Sequence, residues 1–248
     1  MPFNIIERIL VTMELTLQDV LRTNFIIPLY PTTFREIAIP VPQPPGVTGL
    51  PPFIYFDIDN RFNAVQEQDI KDAISLVLFN WSHHLTQKWN GGLNNGVSDL
   101  AACTNTYATQ NFRPTWYVGT PITNGRRAVE VAMEQFTEII KDNGFRRSPR
   151  ARIFATPPAG DAIVLGLTAF YQNRVPLSFM VNPAQLDDSD LGIGFITGSM
   201  FHSWLHRAGF TDPNTTSYFA TECAMCVMRG YLPKIPGVPD SAFYRYFS

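Results

Sequence analysis

Six prolines (Pro40, Pro42, Pro44, Pro45, Pro51 and Pro52) fall within the thirteen residues 40–52. Each fixes its own φ angle and lacks an amide hydrogen. Such a stretch cannot pair as a central strand or continue a helix. It reads as an extended, semi-rigid connector. The chain then divides into residues 1–52, an N-terminal arm with its proline-rich connector, and residues 53–248, the folded domain. Within the arm, Ile9, Val11, Met13, Leu15 and Leu17 alternate with mostly polar neighbours, which favours a strand. Residues 16–22 could equally start a short helix.

The domain alternates helical and strand signals. Residues 53–58 (FIYFDI) read as a strand, and 66–89 as a long helix with Ile70, Ile74, Val77, Leu78, Trp81 and Leu85 on one face. Gly91 and Gly92 mark its stop. Residues 90–114, rich in Asn, Gly and Thr, read as a long loop, and 115–119 as a strand. A second helix is predicted over 127–143. Short strands are predicted at 152–155 and 177–181, while 163–171 fits either state. A third helix is predicted over 192–207 and a fourth near 222–229, before an aromatic end at Phe243, Tyr244, Tyr246 and Phe247. This order predicts an α+β domain with a mixed sheet rather than strict βαβ alternation.

Composition excludes several functions. The net charge of −2 offers no electrostatic footprint for nucleic acid. No run reaches the roughly 20 apolar residues of a membrane span. The first residues, MPFNIIERILVTMELTLQDVL, carry no signal-peptide pattern. A soluble protein is expected, with its location open. Three cysteines, Cys103, Cys223 and Cys226, make an odd count, so no secreted disulfide framework is expected. Cys223 and Cys226 read as two small buried thiols. Arg146, Arg147, Arg150 and Arg152 read as a solvated basic loop.

The segment richest in chemistry is GSMFHSWLHRAGFTDP, with His202, His206, Gly209 and Asp212. Histidines four apart on a helix share one face, where their imidazoles can converge on one tetrahedral zinc ion. Gly209 can take a left-handed conformation and turn the chain. The turn would return Asp212 as a third ligand, leaving a fourth position open.

The spacing H-x-x-x-H-x-x-G-x-x-D resembles the metzincin metallopeptidase signature, in the snapalysin-type variant with aspartate as third ligand. The resemblance implies a metzincin-like (zincin) fold, a zinc cofactor, and a methionine turn beneath the metal, for which Met225 or Met228 is suitably placed. It also implies a glutamate directly after the first histidine, acting as general base and carrying the proton to the leaving amine. Here that position is Ser203, a poor base near neutral pH. Glu222, Tyr218 and the run Asp187, Asp188, Asp190 are the candidate substitutes.

Three functions are therefore expected in turn. The first is a zinc-binding pseudopeptidase with weak or no hydrolysis that binds a peptide or protein partner. The second is a zinc hydrolase with a substitute base. The third is a self-assembling protein that keeps the fold as scaffold, forming homo-oligomers through the N-terminal arm or the aromatic tail.

Overall fold

A computed structural model describes residues 33–89, 96–144, 150–156, 160–165 and 177–247. The arm's strand-or-helix alternatives over 9–22, Arg146 and Arg147, and most of 163–171 lie outside them. Strands β1 (Phe34–Pro40) and β2 (Phe53–Asp59) alternate in burial, with Ile37 and Ile39, then Ile54, Phe56 and Ile58, pointing into the core. They pair antiparallel from Phe34 opposite Asp59 to Pro40 opposite Phe53. Val41 N–H then donates to Pro52 O at 3.0 Å. The proline-rich stretch thus joins two strands of one sheet, upstream of the domain start placed at residue 53. The compact unit runs from Phe34 to Ser248. The prolines are compatible with this because β1 is an edge strand and Pro40 is its last residue.

Strands β3 (Ala151–Ala155), β4 (Val164–Leu165) and β5 (Phe179–Val181) complete the sheet, in the order β1-β2-β3-β5-β4. β2, β3 and β5 run parallel, and β4 lies antiparallel to β5 at the other edge. With seven helices among the described residues, the architecture is α+β with a mixed five-stranded sheet.

Helix α1 (Ala64–Trp89) starts where Asn63 Oδ1 accepts the amides of Val65 and Gln66, both at 2.9 Å, while Gln66 Oε1 accepts Asn63 N–H at 3.1 Å. This reciprocal capping box satisfies otherwise orphaned amides of the first turn. Its apolar face is the one the sequence predicts, and Trp81 also donates to Thr137 Oγ1 at 3.0 Å. Trp81 thereby ties α1 to α3 (Gly125–Gly144).

Helix α2 (Asp99–Tyr107) occupies part of the segment expected to be a loop. Ser98 supplies the cap, its Oγ accepting Ala101 N–H at 3.0 Å. Leu100, Ala101 and Cys103 give it a buried face. The expected strand at 115–119 is irregular instead, because these residues pack against a helix terminus described below. Helices α4 (Pro183–Leu186), α5 (Ile193–Arg207), α6 (Phe219–Met228) and α7 (Ser241–Tyr244) follow. None of the described helices is long and apolar enough to cross a membrane.

α5 packs against α1, α6 and β4. Phe136 of α3 packs on Phe201 and Trp204, with ring centroids 5.3 and 5.5 Å away. On another side Gly194 and Gly198 let α6 approach closely. A Cβ on either would lie 3.0 Å from Met228, from its carbonyl oxygen and its Cβ respectively.

The cysteines depart from expectation. Cys103 of α2 is disulfide-bonded to Cys226 of α6, leaving Cys223 as a buried free thiol. Burial pushes Cys223 up to about 12. The CxxC segment is therefore half of a tertiary cross-link plus an inert thiol, because α2 presents Cys103 to it across the fold. The aromatic tail is also engaged. Phe247 is only 7% exposed, and Tyr246 and Phe243 pack on Phe195 of the same chain.

Candidate metal centre

The last turn of α5 places His202 and His206 one above the other. The helix then ends in a Schellman motif, with Gly209 N–H donating to His206 O at 2.9 Å and Phe210 N–H to Leu205 O at 3.1 Å. Gly209 has φ +95°, the left-handed conformation the sequence calls for. A second constraint also demands glycine there, since a Cβ would lie 2.5 Å from Trp116. Trp116 Nε1 donates to Ala208 O at 2.7 Å, and Thr115 N–H donates to Gly209 O at 2.9 Å. The segment read as a strand is thus a brace for the turn. The Asn111 side-chain amide holds Thr211 O from the same loop.

Beyond the turn, Asp212 comes back to the histidines. Its Oδ2 lies 3.1 Å from His202 Nε2 and 3.3 Å from His206 Nε2, and the two Nε2 atoms are 2.9 Å apart. These three residues are the only group of potential metal ligands of this kind among the described residues. Zinc bonds of about 2.0–2.1 Å in tetrahedral geometry put neighbouring ligand atoms about 3.3 Å apart. The observed triangle is close to that size.

The ligand nitrogens are also oriented. His206 Nδ1 lies 2.9 Å from Phe210 O, so Nδ1–H donates outward and Nε2 turns its lone pair toward the triangle. An imidazole tied to a backbone carbonyl in this way is the usual outer support of a metal-bound histidine. His202 Nδ1 is buried close to the Ala220 backbone without a formed hydrogen bond. The His202 ring is fully buried, whereas the His206 and Asp212 side chains are 23% and 29% exposed. The cluster therefore opens to solvent on the His206 and Asp212 side.

Electrostatics make the cluster attractive to cations. Burial lowers the His202 pKa, with the Asp212 hydrogen bond opposing. Burial also pulls His206 down, but the Asp212 hydrogen bond and charge outweigh it and raise His206 overall. Burial pushes Asp212 up, yet the hydrogen bonds and charges of the two histidines hold it well below the usual carboxylate range. Two nitrogen lone pairs and a carboxylate this close need positive charge between them, from protons or from a metal ion.

The remaining predicted residues are distributed unevenly. Ser203 is buried in α5, and among the described residues no hydrogen bond joins it to the cluster. Tyr218 lies close enough to feel the Asp212 charge, and burial pushes its hydroxyl up to about 12. Glu222 has a fully buried side chain that meets Lys234 Nζ at 3.0 Å. Lys234 also pairs with Asp240. Burial, reinforced by Asp240, pushes Glu222 up to about 7. Its partners are Lys234 and Asp240 rather than the histidines. Asp187 accepts from Gln66 at 2.9 Å, at the start of α1. Met225 packs with Ala224 and Phe247, and it is Phe247 that stacks on His202, with centroids 5.3 Å apart. The methionines thus reach the histidine through the aromatic ring of Phe247.

Comparison of the chain with protein-family models, with curated proteins and with solved structures returned no match.

Proposed function

We propose that this chain is a zinc-binding, metzincin-like metallopeptidase homologue that has lost its general base and acts by binding a peptide or protein partner, with weak or no hydrolysis. The observation that carries this reading is the His202, His206, Asp212 triangle, built on one helix end and one glycine turn. Two imidazoles and one carboxylate form a donor set suited to zinc. When bound there, zinc would supply a Lewis acid. His202 and His206 would hold the ion on the rigid face of α5, and Asp212 would close the third side. The more exposed flank between His206 and Asp212 would admit a partner's carbonyl group.

What surrounds the triangle supports the reading of weak or absent hydrolysis. Ser203 offers only a hydroxyl where the metzincin pattern has a carboxylate. Tyr218, held up to about 12, cannot take a proton near neutral pH. Glu222 has a suitable pKa but is committed to Lys234. Among the described residues, neither Tyr218 nor Glu222 gives the hydrolase alternative a base beside the triangle.

The test compares zinc-loaded with chelator-stripped protein on a mixed-sequence fluorescent decapeptide library. Binding that needs zinc, with no cleavage above background, is the expected result. Chelator-sensitive cleavage by the wild-type chain would establish the hydrolase alternative instead. Binding indifferent to zinc would remove the metal from the function.

A further inference from the structure

The Cys103–Cys226 cross-link borders an open groove. The groove holds about 530 Å³ and is lined by Cys103, Ala102 and Thr106 of α2 and by Gly230 and Tyr231 beyond α6. The two bonded cysteines differ in access. Cys103 is 8% exposed and Cys226 is fully buried. A thiol entering from the groove therefore meets Cys103 first.

Arg229, at the C-terminal end of α6, is aimed at the same bond. Its Nη2 donates to Cys226 Sγ at 3.7 Å and to Cys103 Sγ at 3.9 Å. The guanidinium is held in place, because Nε donates to Leu232 O at 3.2 Å and the group lies 5.1 Å from the centre of the Tyr107 ring. Its Nη1 is buried and has no hydrogen-bond partner among the described residues. A cation beside a sulfur favours the thiolate, and in thiol–disulfide exchange the sulfur with the more stable thiolate leaves faster. Burial and the carbonyls of a helix C-terminus act the other way on Cys226. The helix end carries about half a charge, whereas the guanidinium carries a full one and lies against the sulfur. Cys223, one turn earlier on α6, shows what burial does without such a neighbour, its thiol being pushed up to about 12.

We propose that Cys103 is a modification site for low-molecular-weight thiols, made reactive by Arg229. The thiolate of the added molecule attacks Cys103 Sγ. A new S–S bond forms there, the Cys103–Cys226 bond breaks, and its electron pair leaves on Cys226 Sγ as a thiolate that Arg229 neutralises. One disulfide replaces another, so the thiol itself is the only co-reactant. The groove gives the adduct room beside α2. The exchange unfastens α2 from α6, and it stands independently of the metal reading.

The experiment incubates full-length, disulfide-bonded protein with 2-mercaptoethanol at mildly alkaline pH and stops the reaction with acid. Free thiols are labelled with N-ethylmaleimide in urea, and peptides are mapped by mass spectrometry. The expected product carries mercaptoethanol on Cys103 and maleimide on Cys223 and Cys226. Arg229→Gln is expected to form it about tenfold more slowly, and Arg229→Lys, which keeps the full charge, to recover most of the rate. A merely structural role for Arg229 predicts the opposite sign, since a loosened contact between α2 and α6 would expose the bond and speed the exchange. Poor folding of a variant therefore cannot mimic the expected result. An equal or faster reaction in Arg229→Gln would overturn the proposal. So would an adduct on Cys226, or no adduct on the wild-type chain until urea is added.

Discussion

Replacing Ser203 with glutamate is expected to raise zinc-dependent peptide cleavage about 10²–10⁴-fold above the wild-type chain, the usual worth of a positioned general acid–base group. The argument is one of subtraction. His202, His206 and Asp212 lie 2.9–3.3 Å from one another at the end of α5. Within the metzincin resemblance, the missing element is then the carboxylate after the first histidine. Neither Tyr218 nor Glu222 can substitute, one for its high pKa and the other for its ion pair with Lys234. Position 203 is buried, so the larger side chain must displace neighbours or reach toward the open flank, and zinc content should be measured alongside cleavage. A folded, zinc-loaded Ser203→Glu protein that cleaves no faster than wild type would contradict the peptidase descent of the site.

Removing the Cys103–Cys226 cross-link, with both cysteines changed to alanine, is expected to cost about 2–5 kcal/mol of stability, read as a lower urea midpoint. The two residues are 123 positions apart, which puts the loop-closure contribution toward the upper end of that range. The cross-link fastens α2 to α6, and α6 begins with residues that flank His202. Weaker zinc retention in the same variant is therefore expected. An unchanged midpoint between the disulfide-bonded protein and the alanine variant would show that the packing of α2 on α6 holds without the bond.

The grouping of the candidate site was more legible in the sequence than the architecture around it. His202, His206, Gly209 and Asp212 are local, and helix periodicity with one left-handed glycine determines how they meet. The long helices were legible for the same reason, because their apolar faces repeat over several turns. The features that escaped are non-local. The prolines at 40–52 argue against a central strand, but nothing in them says that β1 lies at the sheet edge, where they are tolerated. The α2 segment is short and polar at its flanks, and its helix depends on the Ser98 cap and on burial against α3 and α6. Residues 115–119 have strand composition, yet their partner is the Gly209 turn rather than another strand. An odd cysteine count does not reveal a bond between Cys103 and Cys226. Phe247 carries no local sign that it stacks on a histidine 45 residues earlier.

The central claim is that His202, His206 and Asp212 bind zinc. Elemental analysis of the purified full-length protein after zinc loading and exhaustive dialysis, beside His206→Ala treated identically, tests it most directly. The account predicts about one zinc per wild-type chain and a loss in the variant, which keeps only two of the three ligands. No zinc in either protein, or equal zinc in both, would contradict it.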